Sequence, residues 1–226
     1  MIRLILIRHC ETELGKNRYT GSTNVPLSGL GLNHAELIAK YLKDKKINLN
    51  KIYSGSLKRA YDTAGAIANL YSLEVEKLSG LNEINFGSWE GLTFDEILSS
   101  DRENLEKYLE TPSDFRFPGG ETHRELKDRV LKSLDLILEK YLDSNKTILV
   151  AGHGGTNRVI LGKALNLDLK DQFKLKQDAG CINVIDFFED NAVVSLMNYT
   201  INSESLNSIK CVKECEKCKK ENCYSF

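Results

Sequence analysis

The chain has 226 residues, of which 41% are hydrophobic and 28% charged, and its formal net charge is −1. That is enough for one domain of ordinary to large size, or two small ones, with the composition of a soluble globular protein. Near-neutral charge argues against bulk attraction to nucleic acid or to an anionic membrane, so any cationic site must be local. No apolar run approaches the length of a membrane span, and the opening one is too short for a signal-peptide core, so the expected location is the cytoplasm.

The chain opens on Ile2-Arg3-Leu4-Ile5-Leu6-Ile7-Arg8-His9-Cys10, with five branched aliphatic residues in six positions ending at a cation and an imidazole. Such a run predicts a strand buried on both faces, central in a parallel sheet. Residues 15–31, rich in Gly, Asn, Ser and Thr, predict a loop. Leu32, Ala35, Ile38, Ala39 and Leu42 then mark one face of a helix. Residues 51–54 predict a short strand, and Ser56 is the expected N-cap of a helix over 57–71. Another short strand is expected at 75–78.

Residues 81–93 read as a glycine-containing loop, and 94–110 as a helix broken near Ser99-Ser100. A second loop covers 111–120. The longest amphipathic helix, over 121–142, carries Leu126, Val130, Leu134, Ile137, Leu138 and Tyr141 on its apolar side. Residues 147–151 predict the second buried strand, which ends in Gly152-His153-Gly154-Gly155-Thr156. Val159, Ile160 and Leu165 mark the next helix, and 182–188 with 192–199 a closing hairpin. Strands alternating with helices predict an α/β fold, a three-layer α/β/α sandwich on a mostly parallel sheet.

Two buried strands thus end in a histidine, His9 and His153. At the carboxyl edge of an open sheet, where such folds bind ligands, the pair suits an anion. Gly154 and Gly155 open a helix, a ready anion site. Arg59, in the first turn of a helix, is unfavourable for the dipole there but well suited to bidentate phosphate binding. Glu83 sits in Leu81-Asn82-Glu83-Ile84. His34 and His123 read as surface residues, Trp89 as packing, Glu11 as a structural hydrogen-bond partner at the loop entrance, and Thr156 as equally a cap or a site residue.

These pieces resemble the histidine phosphatase superfamily, the phosphoglycerate-mutase-like group. The matching segments are Leu6-Ile7-Arg8-His9-Cys10-Glu11-Thr12, Tyr53-Ser54-Gly55-Ser56-Leu57-Lys58-Arg59-Ala60, Leu81-Asn82-Glu83-Ile84-Asn85-Phe86-Gly87-Ser88-Trp89-Glu90-Gly91, Pro118-Gly119-Gly120-Glu121 and Val150-Ala151-Gly152-His153-Gly154-Gly155. They cover roughly residues 1–200 in family order, and the domain is expected to span 1–205. The resemblance implies a phosphoglycerate mutase-like fold and hydrolysis of a small phosphorylated metabolite through a phosphohistidine on His9, with no cofactor required. Arg8, Arg59 and His153 would surround the phosphoryl oxygens and Glu83 would protonate the leaving oxygen. Asn17, Thr23 and Gly154 match phosphate- or substrate-contact positions. Retention of all five principal residues argues against a catalytically idle, ligand-binding relative.

One departure is Cys10, where the family usually has glycine. A small residue is tolerated if the backbone does not need positive φ, and a thiol beside cations is open to a lowered pKa and oxidation; the alternative is a buried filler. Within the family the resemblance is greatest to α-ribazole phosphatases of cobalamin synthesis. Residues 92–117 contain only Arg102, Lys107 and Arg116 as cations, which favours a monophosphate hydrolase over a phosphoglycerate mutase. Pocket walls are expected from 92–117 and 178–181.

The segment 206–226 lies outside the resemblance. Cys211, Cys215, Cys218 and Cys223 have the donors for a structural zinc or iron–sulfur site, although their spacing fits no standard finger; the other reading is a charged tail with free thiols. Structural disulfides are not expected inside a cell. Oligomeric state is not legible.

Overall fold

The computed structural model describes residues 1–15, 17–141 and 144–201. Six strands form one mixed sheet in the order β3-β2-β4-β1-β5-β6, with β1 at Ile2–Arg8, β2 at Lys51–Ser54, β3 at Val75–Lys77, β4 at Lys146–Gly152, β5 at Ile182–Phe187 and β6 at Ala192–Tyr199. The first four are mutually parallel, and β5 runs antiparallel to both β1 and β6.

Alternation of side chains across the pleat sorts the core into two layers. Leu4, Leu6, Ile148 and Val150 face α5 (His123–Tyr141) and α6 (Gly154–Ala164). Ile5, Ile7, Leu149 and Ala151 face α1 (Gly29–Asp44) and α2 (Lys58–Tyr71). The strands are apolar on both faces because both faces are covered. This is the expected three-layer sandwich.

Local chemistry explains where elements start and stop. Ser28 caps α1 by accepting from the Gly31 N–H, and its hydroxyl donates to Glu11 Oε1 at 3.0 Å, the structural role expected of Glu11. The helical segment 94–110 breaks at Asp101 into α3 (Phe94–Ser100) and α4 (Arg102–Glu110). The break releases the Asp101 carboxylate to accept from Trp89 Nε1 and Asn104 Nδ2, both at 2.8 Å. Trp89 is buried packing, stacked on Phe115 with ring centroids 5.5 Å apart.

Three local expectations are corrected. Ser56 does not cap α2: Leu57 holds that position, the Lys58 N–H is taken by Asn24 Oδ1 at 2.7 Å, and the Ser56 N–H by Asn82 Oδ1 at 2.6 Å. Leu32 is 48% exposed, since α1 turns the Gly31 backbone onto that of Glu11 and rotates Leu32 outward. Leu165 is exposed because α6 ends one residue before it. Among the described residues no helix is long and apolar enough to cross a membrane.

Candidate active site

Strands β1 and β4 pair in register, Arg8 opposite Gly152, so His9 and His153 leave the sheet side by side with ring centroids 5.2 Å apart. His9 Nδ1 lies 2.8 Å from the Cys10 carbonyl. A carbonyl only accepts, so Nδ1 carries the proton and Nε2 keeps its lone pair. Burial, then the charges of Arg8 and Arg59, push the His9 pKa well below its ordinary value despite the Cys10 bond, and the ring is neutral. Burial, then Arg59, His9, Arg8 and Arg129, do the same to His153.

Arg59 is fully buried, and carbonyls solvate it. Nη1 donates to Thr23 O at 2.7 Å, and Nη2 donates to Gly21 O at 2.6 Å and Thr20 O at 3.3 Å. Its pKa is lowered by burial, which Glu83 and Glu90 oppose. Arg8 Nη1 donates to Gln177 O at 2.6 Å. Arg8 Nε, Arg59 Nε and both ring nitrogens of His153 are buried without a hydrogen-bond partner among the described residues. Buried polar groups are normally paired, and an acceptor-rich tetrahedral anion suits the two guanidinium N–H groups and the one N–H of a neutral His153 ring.

The loop that receives Arg59 is organised by Glu90, whose carboxylate accepts from the backbone N–H groups of Gly21, Ser22, Thr23 and Phe86 and from the Ser22 and Thr23 hydroxyls. Burial raises its pKa, but the bonds from Thr23, Phe86, Ser22 and Gly21 outweigh this and hold it below the ordinary range.

Glu83 approaches from the other side. Oε2 accepts from the Gly155 N–H at 2.9 Å and Oε1 from the Ile84 N–H at 3.0 Å. The positive end of α6 is therefore occupied by the Glu83 carboxyl group. A Cβ on Gly155 would lie 2.4 Å from Oε1, so only glycine permits this approach. A Cβ on Gly154 would meet Arg158 Nη1 at 3.4 Å, and Arg8 Nε and Glu83 Oε2 at 3.6 Å; two guanidiniums and the Glu83 carboxyl thus converge on the start of α6.

Beside Glu83 opens a cavity of about 200 Å³, walled by Tyr19, Phe86, Tyr108, His123, Phe173 and Arg158 among others. Of the segments expected to wall the pocket, 92–117 contributes Tyr108 to this cavity and 178–181 contributes no residue, while Leu169, Gln172 and Phe173 line it as well. Arg158 Nε donates to Leu175 O at 2.8 Å, and burial lowers its pKa, which Glu83 opposes. Arg158 escaped the sequence reading; the available signal was its place one helical turn after Gly154, on the same face of α6.

The remaining expectations divide. His123 is buried and lines the cavity, and is not a surface residue: its Nδ1 lies 2.9 Å from the Pro112 carbonyl, and its ring meets Phe173 edge-on. His34 is half-buried, because Gly180, at φ +70°, lets its ring approach. Thr156 does not cap α6, whose N-cap is His153; its hydroxyl meets the carbonyls of Leu81 and Asn82 at 3.2 and 3.1 Å. Thr23 gives its hydroxyl to Glu90, and Asn17 is exposed at φ +70° with no side-chain hydrogen bond to the cluster among the described residues.

Cys10 is the buried filler: burial pushes its thiol up to about 12, the reverse of an activated thiol, because its side chain joins the α1/α2 layer of the core. Its backbone is not at positive φ, which is why cysteine fits. Cys211, Cys215, Cys218, Cys223 and the boundary at 205/206 lie outside the described residues. Among the described residues no group of three or more His, Cys, Asp or Glu side chains is arranged to hold a metal ion.

Two neutral imidazoles and two guanidiniums stand together at the sheet edge, with the Glu83 carboxyl facing them, a set of groups suited to a phosphate ester. The chain belongs to the histidine phosphatase superfamily (branch 1), whose profile matches residues 4–200, and it is a phosphoric monoester hydrolase of that superfamily. It is 32% identical to phosphoserine phosphatase 1 of Hydrogenobacter thermophilus over 88% of this chain and 93% of that protein. Its fold matches a putative alpha-ribazole-5′-P phosphatase of Escherichia coli, TM-score 0.81 at 25% identity, over 89% of this chain and 98% of that one. It also matches a mutant phosphoserine phosphatase of Entamoeba histolytica in complex with phosphoserine, TM-score 0.76 at 29% identity, over 88% and 97% of the two chains.

Proposed function

We propose that the chain hydrolyses a small phosphomonoester in two metal-independent steps through a phosphohistidine on His9. Nε2 attacks phosphorus, the bond from phosphorus to the ester oxygen breaks, and protonated Glu83 gives its proton to the departing alkoxide. Glu83 then takes a proton from water, whose oxygen attacks phosphorus; the N–P bond breaks, freeing phosphate and neutral His9. Arg8, Arg59 and His153 donate to the phosphoryl oxygens throughout. The observation that carries this reading is the fixed tautomer of His9, whose Nδ1 is committed to Cys10 O and whose Nε2 is left as nucleophile. The catalytic domain is taken as residues 1–205, with 206–226 apart from it.

For the substrate, Arg158 supports a leaving group with a carboxylate, of which O-phosphoserine is the simplest. Its Nη1 approaches the start of α6 beside Arg8 and Glu83, so an acid attached to the ester oxygen would meet it within the cavity. The 32% identity to a phosphoserine phosphatase supports the same reading. α-Ribazole 5′-phosphate, of cobalamin synthesis, is the second reading, favoured by the aromatic wall of Tyr19, Phe86, Tyr108 and Phe173. Comparison of kcat/KM on O-phosphoserine, α-ribazole 5′-phosphate and 3-phosphoglycerate, with a chelator present, tests both. A preference of about 10-fold or more for phosphoserine, lost in Arg158→Met, is expected. A preference for α-ribazole phosphate that survives Arg158→Met reverses the order, and mutase activity on phosphoglycerate removes both.

A further inference from the structure

The segment carrying Glu83 has little regular structure of its own: a single 3-10 turn at Ser79–Leu81, then extended backbone from Asn82. Irregular backbone beside a site needs partners for its peptide groups, and those partners decide where the side chain lies. Arg129 of α5 supplies most of them. Its Nη1 donates to Gly80 O at 3.0 Å and Asn82 O at 2.7 Å, and its Nη2 to Glu83 O at 2.8 Å. The rest of the guanidinium is clamped by Glu121, with Nε on Oε1 at 2.7 Å and Nη2 on Oε2 at 2.8 Å.

A guanidinium has five N–H donors in a fixed plane, and here there are five acceptors. Glu121 in turn accepts from the Asn85 N–H, and its own N–H donates to Asn85 O, both at 2.9 Å. The backbone is therefore gripped on both sides of Glu83, at Asn82 and at Asn85, by one bidentate ion pair. On the opposite side Thr156 meets Leu81 and Asn82, and Gly155 meets the carboxylate itself. Among the described residues the Arg129 guanidinium bonds to this segment and to Glu121, whereas those of Arg8 and Arg59 bond to the loops at 177 and 20–23.

We propose that Arg129, oriented by Glu121, is the positioning residue that aims the Glu83 carboxyl at the departing oxygen. The inference rests on the reading of Glu83 as proton donor. A carboxyl displaced by about an ångström still leaves the phosphoryl donors intact, so the loss falls on leaving groups that need the proton. A purely structural tether predicts instead a loss shared by every substrate.

The test measures kcat/KM, which reports the steps up to departure of the leaving group, on an alkyl phosphate and on an aryl phosphate whose phenolate leaves without protonation. The full-length chain is compared with Glu83→Gln, Arg129→Lys, Arg129→Met and Glu121→Gln, with melting temperatures recorded alongside. Glu83→Gln is expected to lose about 100-fold or more on the alkyl ester and only a few-fold on the aryl ester. Arg129→Lys, with three donors on a point charge, is expected to lose roughly 10- to 100-fold on the alkyl ester with the aryl ester within about 3-fold. Glu121→Gln follows the same pattern more weakly, and serves if Arg129→Met does not fold. Equal losses on both esters in the Arg129 and Glu121 variants, beside a selective loss in Glu83→Gln, overturn the positioning role alone. No selectivity in Glu83→Gln overturns the proton-donor reading beneath it.

Discussion

The two sides of the site are built differently. The phosphoryl side rests on strand ends: His9 and His153 stand where two paired parallel strands stop, and the peptide lattice of the sheet fixes their separation. The leaving-group side rests on residues 79–85, held by the Arg129 and Glu121 side chains from α5 and the 118–121 turn and by the Gly155 N–H and Thr156 hydroxyl of α6. A sheet edge gives rigidity without further help. A loop must be given it bond by bond, and each bond is a separate point of failure. Changes on the first side are therefore expected to damage every substrate alike, and changes on the second to damage substrates according to their leaving groups.

The largest effect expected is from His9→Ala, which removes the nucleophile: a loss of roughly 10⁵-fold or more in kcat/KM on alkyl and aryl esters together, read by phosphate release. Arg59→Ala comes next, about 10²- to 10³-fold on both esters, since one charged donor to the transferring group goes. It also leaves the carbonyls of Thr20, Gly21 and Thr23 without their donor, so a lower melting temperature should accompany it. An Arg59 variant selective for leaving group would break the division drawn here.

The sequence made the phosphoryl side legible because its signals are local and repeated. Two aliphatic runs each ended in a histidine, and burial of both strand faces followed from composition alone. The leaving-group side was only half legible. Glu83 could be placed by resemblance, but nothing around Arg129 marks it among the other cations of amphipathic helices, and Arg158 carries only the weak signal of lying one turn after Gly154. Their partners are backbone carbonyls 47 residues away for Arg129 and 17 for Arg158, and a carbonyl has no sequence signature. His123 was misjudged for a related reason: its helical position looked peripheral, and only the aromatic cluster of Tyr108, Phe117 and Phe173 buries it. The reading of Cys10 as a buried filler holds, since neighbours along a strand end point to opposite faces and its side chain joins the α1/α2 layer.

Two smaller effects sharpen the contrast. His9 and His153 are both neutral in the folded chain, with pKa values well below the ordinary one, whereas in the unfolded chain they titrate near pH 6.5. The unfolded state then binds more protons below about pH 6.5, so stability falls as pH falls through that value and levels off at the folded pKa. Each histidine contributes about 1.4 kcal/mol per pH unit within that window. Denaturant titrations at about pH 7 and 5.5 should show a smaller decline in His153→Asn than in wild type; an unchanged decline would mean His153 is charged when folded. Smallest in its effect on activity is Trp89→Phe, which removes the bond to Asp101 and leaves a gap beside Phe115: about 1–3 kcal/mol of stability, with little change in the ratio of alkyl to aryl activity.

The central claim is that a phosphoryl group passes through Nε2 of His9. Its most direct test is rapid quenching of wild type and His9→Ala during turnover under alkaline conditions, which preserve phosphoramidates, followed by phosphorus NMR and peptide mapping. The account predicts a phosphoryl group on the peptide containing His9, bonded at Nε2 and absent from the variant. A phosphoryl group on another residue, or equal turnover by His9→Ala, would contradict it.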